Sequence, residues 1–200
     1  MLVRVGQEVQ EVPRRVSAGR LEIVPLNAGR RVDFYRLHGD CNNAGWCACA
    51  AWWVPTWDGW ADRTAAENHA VRDALFARDE HDGLLAYADG EPVGWCQLGP
   101  RDRLTKLTAQ LRLEPDPDAW AVTCFLVAPA WRGAGVARAL LAAAAERAWQ
   151  GGATRLEAFP KHGEHLAADD LWNGPEALFR AAGFAVARDD AARPVLSLTL

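Results

Sequence analysis

The segment APAWRGAGVARALL, residues 128–141, connects an apolar stretch to an alanine-rich one. The apolar stretch WAVTCFLV, residues 120–127, predicts a strand that is buried on both faces. Residues 133–149 predict a helix. A strand that turns tightly into a helix leaves the first helical N–H groups unpaired, and the helix dipole favours an anion beside them. Because Gly133 and Gly135 have no side chains to block an approaching group, the segment predicts a phosphate-binding loop.

Two well-known phosphate-binding patterns do not fit this loop. The Walker pattern requires a Gly-Lys-Ser/Thr ending, and the dinucleotide pattern GxGxxG requires a different glycine spacing. The residues match Arg/Gln-x-x-Gly-x-Gly/Ala instead, at Arg132, Gly135 and Ala137. In its strand–loop–helix context, this pattern resembles the pyrophosphate loop of the GNAT N-acetyltransferases.

The resemblance extends over roughly residues 20–200 and is closest over residues 120–160. Outside the loop it is carried by pairs of residues and by a hairpin: Leu140-Leu141, Gly152-Ala153, Leu156-Glu157, Leu178-Phe179, Gly183-Phe184 and LLAYADGEPVGWC at residues 84–96. It implies an α/β fold with a mixed, mostly antiparallel central sheet flanked by helices and a strand–loop–helix pyrophosphate site.

The resemblance also implies acetyl-CoA as the co-substrate and a primary amine as the acceptor, with direct attack and no acyl-enzyme. The residues that it places at the cofactor are Phe125, Leu126 and Val127 along the pantetheine arm, and Arg132, Gly133, Ala134, Gly135, Val136 and Ala137 around the pyrophosphate. A backbone N–H of the strand would polarise the thioester carbonyl. Asn173 and Phe179 are further candidates for contacting the cofactor, although Asn173 is also explained as a helix N-cap.

The acid and the base of such a reaction are open in this chain. Phe179 stands where many relatives have a tyrosine that protonates the thiolate, and the tyrosines of this chain are Tyr35 and Tyr87. Glu157, on a short strand expected beside the cleft, is the first candidate for the base, although such a carboxylate can also be salt-bridged. Cys124 is a second catalytic candidate, although a buried thiol is ordinarily hydrophobic filler. His162 and His165 follow in a loop that could reach the site.

The remaining segments predict further helices and strands around this centre. Strands are expected at residues 21–26, 155–159, 184–187 and 195–200, a hairpin over 83–99 that turns at Asp89-Gly90, and helices over 31–37, 62–80 and from Asn173 to Gly183. Thr64 and Glu67 have capping-box spacing, and Gly83 is expected to end that helix. Residues 100–119 predict a long, partly irregular connection. A 1–19 extension followed by one domain over 20–200 is the expected organisation.

The stretch CNNAGWCACAAWWVPTWDGW, residues 41–60, is rich in cysteine and tryptophan. His38, Cys41, Cys47 and Cys49 form H-x2-C-x5-C-x-C, which could supply four zinc ligands, but structural zinc sites usually have paired ligands two to four residues apart. Thiol-redox motifs prefer C-x-x-C. A zinc module is therefore kept as a weaker alternative, and no metal is expected.

The tryptophans of this stretch follow no single period, and Pro55 and Gly59 interrupt it. Some members of the family that this chain resembles have a similar segment over the acceptor site. We therefore expect Trp46, Cys47, Trp53 and Trp95 to line the acceptor pocket. A wall of this kind suits an apolar or aromatic amine, or a cation held over a ring.

Composition limits the classes of partner. The 200 residues carry 22 basic and 26 acidic side chains, a net charge of −4, with the basic residues scattered. This argues against binding to a nucleic acid and is compatible with an amine-bearing partner. An apolar export signal or membrane span is not apparent, so a cytoplasmic protein acting on a small molecule is expected, and a homodimer stays open. A catalytically reduced acyl-CoA sensor on the same fold is the alternative, since Phe179 replaces the usual acid.

Overall fold

The computed structural model describes residues 21–200, which form seven strands and five α-helices; the predicted extension over residues 1–19 lies outside them. The strands are β1 (Leu21–Pro25), β2 (Leu84–Ala88), β3 (Glu91–Pro100), β4 (Ala119–Val127), β5 (Arg155–Ala158), β6 (Ala185–Arg188) and β7 (Val195–Thr199). The helices are α1 (Arg31–Cys41), α2 (Ala65–Ala77), α3 (Thr105–Leu111), α4 (Val136–Gln150) and α5 (Glu176–Ala181).

The strands form one seven-stranded sheet in the order β1-β2-β3-β4-β5-β7-β6. Within residues 21–200, β4 and β5 run parallel, and the other neighbouring pairs run antiparallel. The parallel pair is connected through α4, as a strand–helix–strand unit requires. The mixed, mostly antiparallel sheet flanked by helices is therefore confirmed.

Local sequence explains where α2 begins and why one helix was missed. Thr64 accepts a hydrogen bond from the Glu67 amide at 3.2 Å, and the Glu67 carboxylate accepts one from the Thr64 amide at 2.7 Å, so the predicted capping box is confirmed. The helix ends at Ala77, well before Gly83. The partly irregular connection over residues 100–119 contains a helix that was not predicted, α3, which buries Leu107 and Leu111 against the core.

The sheet separates two apolar layers. One layer lies between the sheet and α4 and α5, and it contains Leu140, Leu156 and Phe179, which are fully buried. The opposite face carries α1, whose Phe34 and Leu37 pack on Leu85 and Trp95. The helices on each face hold the sheet rigid on both sides, so the site is built on fixed elements rather than on loops alone.

β4 and β5 diverge at the centre of the sheet. Their pairing runs from Ala119 with Arg155 to Val122 with Ala158 and stops there. On the other side of β4, the register with β3 shifts between Val122 and Cys124, so Thr123 is the extra residue of a β-bulge. A bulge bends the strand and increases its twist. The second half of β4 therefore leaves β5 and presents one edge to an opening in the sheet.

None of the helices in residues 21–200 combines the length and the apolar character that a bilayer crossing requires.

The contact between β3 and α4 is testable at Gly94. A Cβ on Gly94 would lie 2.7 Å from Val136 Cγ1 and 3.1 Å from Leu140 Cδ1. We expect Gly94→Ala to lower the free energy of unfolding by about 1–3 kcal/mol, because the methyl group overpacks this contact. Urea denaturation measures the change. Gly39→Ala is the control, because a Cβ there meets nothing within 4 Å inside α1. A Gly94→Ala protein as stable as the wild type would contradict the close approach of α4.

Candidate active site

The opening between β4 and β5 leads into a cavity of about 1440 Å³. One end is formed by the loop before α4, the middle by the free edge of β4, and the other end by tryptophans from residues 46–60 and from Trp172. The cavity therefore joins the predicted phosphate-binding loop to the cysteine- and tryptophan-rich stretch.

The loop end has the backbone that an anion requires. Gly133 and Gly135 have φ angles of 72° and 91°, in the left-handed region that favours glycine. Gly135 caps α4 without a side-chain hydrogen bond, and within residues 21–200 the amides of residues 135–138 have no acceptor. Arg132 and Arg138 stand beside them. All six predicted loop residues, Arg132, Gly133, Ala134, Gly135, Val136 and Ala137, line the cavity.

The edge of β4 offers one free amide rather than three. The Phe125 amide donates to the Trp172 carbonyl at 2.8 Å, on the side away from β3, while the Ala128 amide donates to Val93 on the β3 side. Because successive amides of a strand point to opposite sides, Val127 directs its amide toward the cavity and Leu126 directs its amide toward β3. Phe125, Leu126 and Val127 all line the cavity, as expected.

Four tryptophans form a chamber at the far end, where Trp46, Trp52, Trp57 and Trp60 line the cavity. Trp57 contacts Trp52 and Trp60 edge to face, with ring centroids 5.2 and 5.9 Å apart. Trp46 contacts Trp60 at 5.0 Å and donates its indole N–H to the Arg63 carbonyl. Such edge-to-face contacts hold the rings in fixed orientations. Cys47 also lines this chamber, as predicted.

Lys106 of α3 places its ammonium among these rings. Lys106 Nζ lies 3.4 Å from the Trp57 ring centroid and 5.7 and 5.6 Å from those of Trp52 and Trp60. Burial lowers the pKa of Lys106 to about 8, while the indole faces favour the charged form. The cation expected over these rings is therefore supplied by the chain itself.

His38 of α1 is the lining residue with the chemistry of a base. Its Nδ1 lies 2.8 Å from the Phe34 carbonyl, which accepts a hydrogen bond and so places the proton on Nδ1. Its Nε2 is then an acceptor, and it has no hydrogen-bond partner among the described residues. His38 is 1% exposed and lines the cavity. In the sequence it was considered only as a zinc ligand, because a helical histidine carries no signal of the cavity that it faces.

A thiol pair lies behind His38. Cys49 accepts the Trp95 indole N–H at 3.3 Å and contacts Gln97 Oε1 at 2.8 Å. Burial raises the pKa of Cys49, but the hydrogen bond from Cys124, the neighbouring His38 and the charge of Arg72 outweigh it, so the pKa falls below its usual range. The same hydrogen bond, with Cys49, raises the pKa of Cys124. Cys124 lines the cavity and keeps its proton.

All five cysteines are free thiols. Residues 21–200 contain no group of three or more His, Cys, Asp or Glu side chains that could hold a metal ion. The alternative of a zinc module built on His38, Cys41, Cys47 and Cys49 therefore has no ligand set in this part of the chain.

The structure places Glu157 away from the chemistry expected of it. Its carboxylate is 6% exposed and accepts hydrogen bonds from Arg101 Nη1 at 3.1 and 3.3 Å and from Arg155 Nε at 3.1 Å. Two guanidinium groups hold its charge, and the side chain points into the packing under α3 rather than into the cavity. Glu157 does not line the cavity, and its surroundings match the salt-bridged alternative.

Two of the predicted acceptor-site residues are also elsewhere. Trp95 is fully buried beneath α1, where its ring fills the space over Gly83, so it supports Cys49 rather than an acceptor. Trp53 packs on the layer around α3 with the Arg103 guanidinium 5.8 Å from its ring centroid. Neither lines the cavity. Trp52, Trp57, Trp60 and Trp172 take their place.

Asn173 and Phe179 do not reach the cavity. Asn173 is fully buried, with its Nδ2 donating to the Thr123 carbonyl at 2.7 Å and its Oδ1 accepting from Arg193 at 2.9 Å. It does not line the cavity, and it is not the N-cap of α5, which is Pro175. Phe179 is fully buried and packs against Phe125 and Phe184.

The histidines and tyrosines considered for catalysis have other partners. His162 is largely exposed, with its ring 2.7 Å from the Glu176 carboxylate. The Tyr35 hydroxyl donates a hydrogen bond to the Asp73 carboxylate, and the Tyr87 hydroxyl donates one to the Asp33 carboxylate. Within residues 21–200, neither tyrosine lines the cavity, and neither does His165.

Comparisons with known proteins agree with this geometry. The sequence model of the Acetyltransferase (GNAT) family matches residues 46–173, which is more than half of the chain. A search of curated proteins finds no match. The matched segment spans the tryptophan chamber, β4 and the loop before α4.

Solved structures share the fold at low sequence identity. An acetyltransferase of the GNAT family from Listeria monocytogenes is 14% identical with a TM-score of 0.59, covering 92% of this chain and 98% of its own. The PaiA N-acetyltransferase from Thermoplasma acidophilum, in complex with coenzyme A, is 12% identical with a TM-score of 0.54 and coverages of 90% and 99%. The ribosomal-protein-S18-alanine N-acetyltransferase from Escherichia coli is 13% identical with a TM-score of 0.51 and coverages of 90% and 93%.

The ammonium of Lys106 gives a testable dependence of stability on pH. The pKa of this lysine falls from 10.5 to about 8 on folding because burial disfavours the charged form. Between these two values the unfolded chain binds a proton that the folded chain does not, so the contribution of Lys106 to stability rises with pH. We expect the melting temperature of the wild type, relative to Lys106→Met, to rise between about pH 7 and about pH 9.5.

Lys161→Met is the control for the loss of one lysine, and thermal denaturation at both pH values is the measurement. The melting temperature of the wild type is taken relative to that of Lys106→Met. This removes the effect of cysteine titration, because both proteins contain the same cysteines. A difference that shrinks as the pH rises would show that the indole rings outweigh burial and hold the ammonium charged.

Proposed function

The chain belongs to the Acetyltransferase (GNAT) family, and from this we propose that it transfers an acetyl group from acetyl-CoA to a primary amine of a small molecule. The observation that carries the proposal is the continuous cavity from the anion-binding loop, along the edge of β4, to the tryptophan chamber. A long cofactor and a small acceptor can meet end to end in such a cavity, and the five free thiols suit the reducing cytoplasm.

The residues of the loop fit the pyrophosphate of acetyl-CoA. A Cβ on Gly133 or Gly135 would meet nothing within 4 Å, so there is open space beside both glycines. The amides of residues 135–138 are free to donate hydrogen bonds to phosphate oxygens. Arg132 and Arg138 add positive charge. The Val127 amide is placed to pair with the pantetheine arm or the acyl carbonyl. The bound co-substrate supplies an activated acetyl thioester.

His38 takes the role of base that Glu157 does not fill. An amine that is protonated in solution must lose a proton before it can attack a carbonyl carbon. Nε2 of His38 is a buried acceptor with no hydrogen-bond partner among the described residues, on a side chain that lines the cavity, and the hydrogen bond from Nδ1 to Phe34 holds the ring in that tautomer. The helix that carries His38 is packed on β3 and β4, so the ring position is fixed.

Cys124 is our candidate donor to the departing thiolate, a role that requires its thiol to turn from Cys49 toward the cavity. It follows the bulge residue Thr123 on β4 and lines the cavity, and its raised pKa keeps the thiol protonated at neutral pH. Phe179, at the position of the family's tyrosine, is buried and donates nothing. The acyl-CoA sensor remains the second candidate on this ground, and turnover distinguishes it from the enzyme.

The anion-binding loop can be tested with two glycines of the same conformation. Gly135 and Gly152 have φ angles of 91° and 87° at opposite ends of α4, and a Cβ on either meets nothing within 4 Å. We expect Gly135→Val to weaken binding of acetyl-CoA and CoA by more than about tenfold, because the side chain covers the amides. Gly152→Val carries the same backbone strain and is expected to bind as the wild type does.

Calorimetry measures binding, and a thermal-shift titration with acetyl-CoA and CoA reports the linked stabilisation. Release of free thiol over an amine panel then separates an enzyme from a sensor. Full CoA affinity in Gly135→Val, with affinity lost in Gly152→Val, would place the cofactor elsewhere.

The assignment of the base can be tested by comparing His38→Gln with Glu157→Gln. We expect His38→Gln to lower kcat/KM by about 100-fold and to remove the acid limb of its pH profile, because Nε2 accepts the proton. Glu157→Gln leaves Arg101 and Arg155 without their shared carboxylate, so we expect it to lower stability by roughly 3 kcal/mol while activity per folded molecule stays within about threefold.

The measurements are steady-state rates across pH on one efficient amine and urea denaturation of both variants. Loss of about 100-fold in Glu157→Gln, with an unchanged pH profile in His38→Gln, would return the role of base to Glu157.

A further inference from the structure

The charges around the cavity have one sign. Among residues 21–167 and 170–200, no aspartate or glutamate lines the cavity, whereas Arg132, Arg138 and Arg193 do. Arg132 and Arg138 belong to the phosphate-binding loop. Arg193 comes from the segment before β7 and contributes a guanidinium that the pyrophosphate site does not use.

The side chain of Arg193 is held by one of its nitrogens. Nη1 donates to the Phe159 carbonyl at 2.6 Å and to Asn173 Oδ1 at 2.9 Å. Among the described residues, Nε and Nη2 have no partner, and neither is sealed from the solvent. Asp190 uses its carboxylate to accept the amides of Ala192 and Arg193 and forms no salt bridge with the guanidinium.

Nε and Nη2, the nitrogens without a partner, form one edge of the guanidinium. An edge of this kind can donate two parallel hydrogen bonds to a carboxylate. This geometry is specific to arginine, because its N–H groups lie in a rigid plane. An arginine fixed by neutral carbonyl and amide oxygens keeps a full charge to offer to a ligand. Arg193 is therefore preorganised for an anion that the chain does not provide.

The position of Arg193 is close to the point where β4 leaves β5. Asn173, which accepts from Arg193, donates to the carbonyl of Thr123, the bulge residue of β4. Two hydrogen bonds thus connect the guanidinium to the strand that carries Cys124 and Val127. Because the Arg193 guanidinium lies 5.9 Å from the Trp52 ring centroid, an anion on Arg193 would lie on the tryptophan side of the cavity.

The tryptophan chamber favours the same kind of ligand. Trp52 has the Lys106 ammonium 5.7 Å and the Arg193 guanidinium 5.9 Å from its ring centroid. The rings of the chamber already contact a cation, and two positive charges there repel an acceptor with several ammonium groups. The remaining indole surface contacts an apolar or aromatic body.

With the proposed function as its premise, we infer that the acceptor is a small amine that also carries a carboxylate, which Arg193 binds, on an apolar or aromatic body. In the transfer, the amine nitrogen bonds to the acetyl carbon, the carbon–sulfur bond breaks, and CoA leaves with the electron pair. The proton of the amine passes to His38, and CoA gains a proton to leave as the thiol. Amines that lack the carboxylate lose the contact with Arg193.

Matched pairs of amines test this on the wild-type protein. The pairs are phenylalanine with 2-phenylethylamine, tryptophan with tryptamine, valine with isobutylamine, and 4-aminobenzoate with aniline. Binding to the CoA-saturated protein is measured by calorimetry, and acetylation is measured by thiol release. We expect the acid member of at least one pair to bind at least about tenfold more tightly than its partner, as two charge-assisted hydrogen bonds provide.

Variants assign the effect to the guanidinium. Arg193→Gln keeps an amide to donate to Phe159 but removes the charge, and we expect it to reduce the preference for the acid member to less than about threefold. Arg193→Lys keeps the charge without the planar edge and is expected to retain part of the preference. Arg147→Gln removes an exposed arginine of α4 and is the control. Thermal denaturation of each variant verifies folding.

The outcomes separate this inference from the proposed function. Equal or tighter binding of the amine without the carboxylate in every pair, or no binding of any acid member, overturns the inference even if amines are acetylated. Selective binding of the acid members without thiol release supports the inference about the ligand and rejects catalysis. A preference that survives in Arg193→Gln also overturns the assignment.

Discussion

The divergence of β4 and β5 determines where every functional element of this chain lies. The parallel pairing ends at Val122 and Ala158, and the bulge at Thr123 turns the rest of β4 away. A strand edge without a partner must satisfy its amides in another way. Trp172 supplies a carbonyl for Phe125, Asn173 supplies an amide for Thr123, and Val127 is left for a ligand. The cavity, the loop before α4 and the arginine behind Asn173 follow from this opening.

Buried polar groups around the opening are costly, and their arrangement shows which of them are structural. Glu157 and Arg101 neutralise each other beneath α3, and Arg72 donates to the carbonyls of Ala48 and Cys49. These contacts satisfy the Glu157 carboxylate, whereas Nη1 of Arg72 is buried without a hydrogen-bond partner among the described residues and does not line the cavity. His38 and Arg193 differ, because each uses one nitrogen for the protein and has another without a partner among the described residues, on a side chain that lines the cavity. That combination is why we propose ligand-binding roles for these two residues.

The sequence predicted the sheet, α2, the hairpin and the loop before α4 because each depends on local signals: a buried strand, a capping box, a turn and a glycine spacing. It failed for Glu157, Trp95 and Asn173, whose roles depend on partners 46 to 56 residues away in the chain. It also missed α3, whose apolar residues were hidden among polar ones. The alternation of side chains along β5 predicts that Glu157 lies on the face of the sheet away from α4. It does not predict that Arg101 lies on that face as its partner.

Overall charge was a poor guide to the site for the same reason. A net charge of −4 is compatible with an amine-bearing partner. Carboxylates such as Asp73, Glu157 and Asp82 are paired with arginines elsewhere in the described structure, while the cavity is lined by arginines and by no carboxylate of residues 21–167 and 170–200. The potential that a small ligand experiences is set by the groups within a few ångströms of it, because solvent screens the more distant ones. An acidic protein can therefore hold a cavity that selects anions at both of its ends.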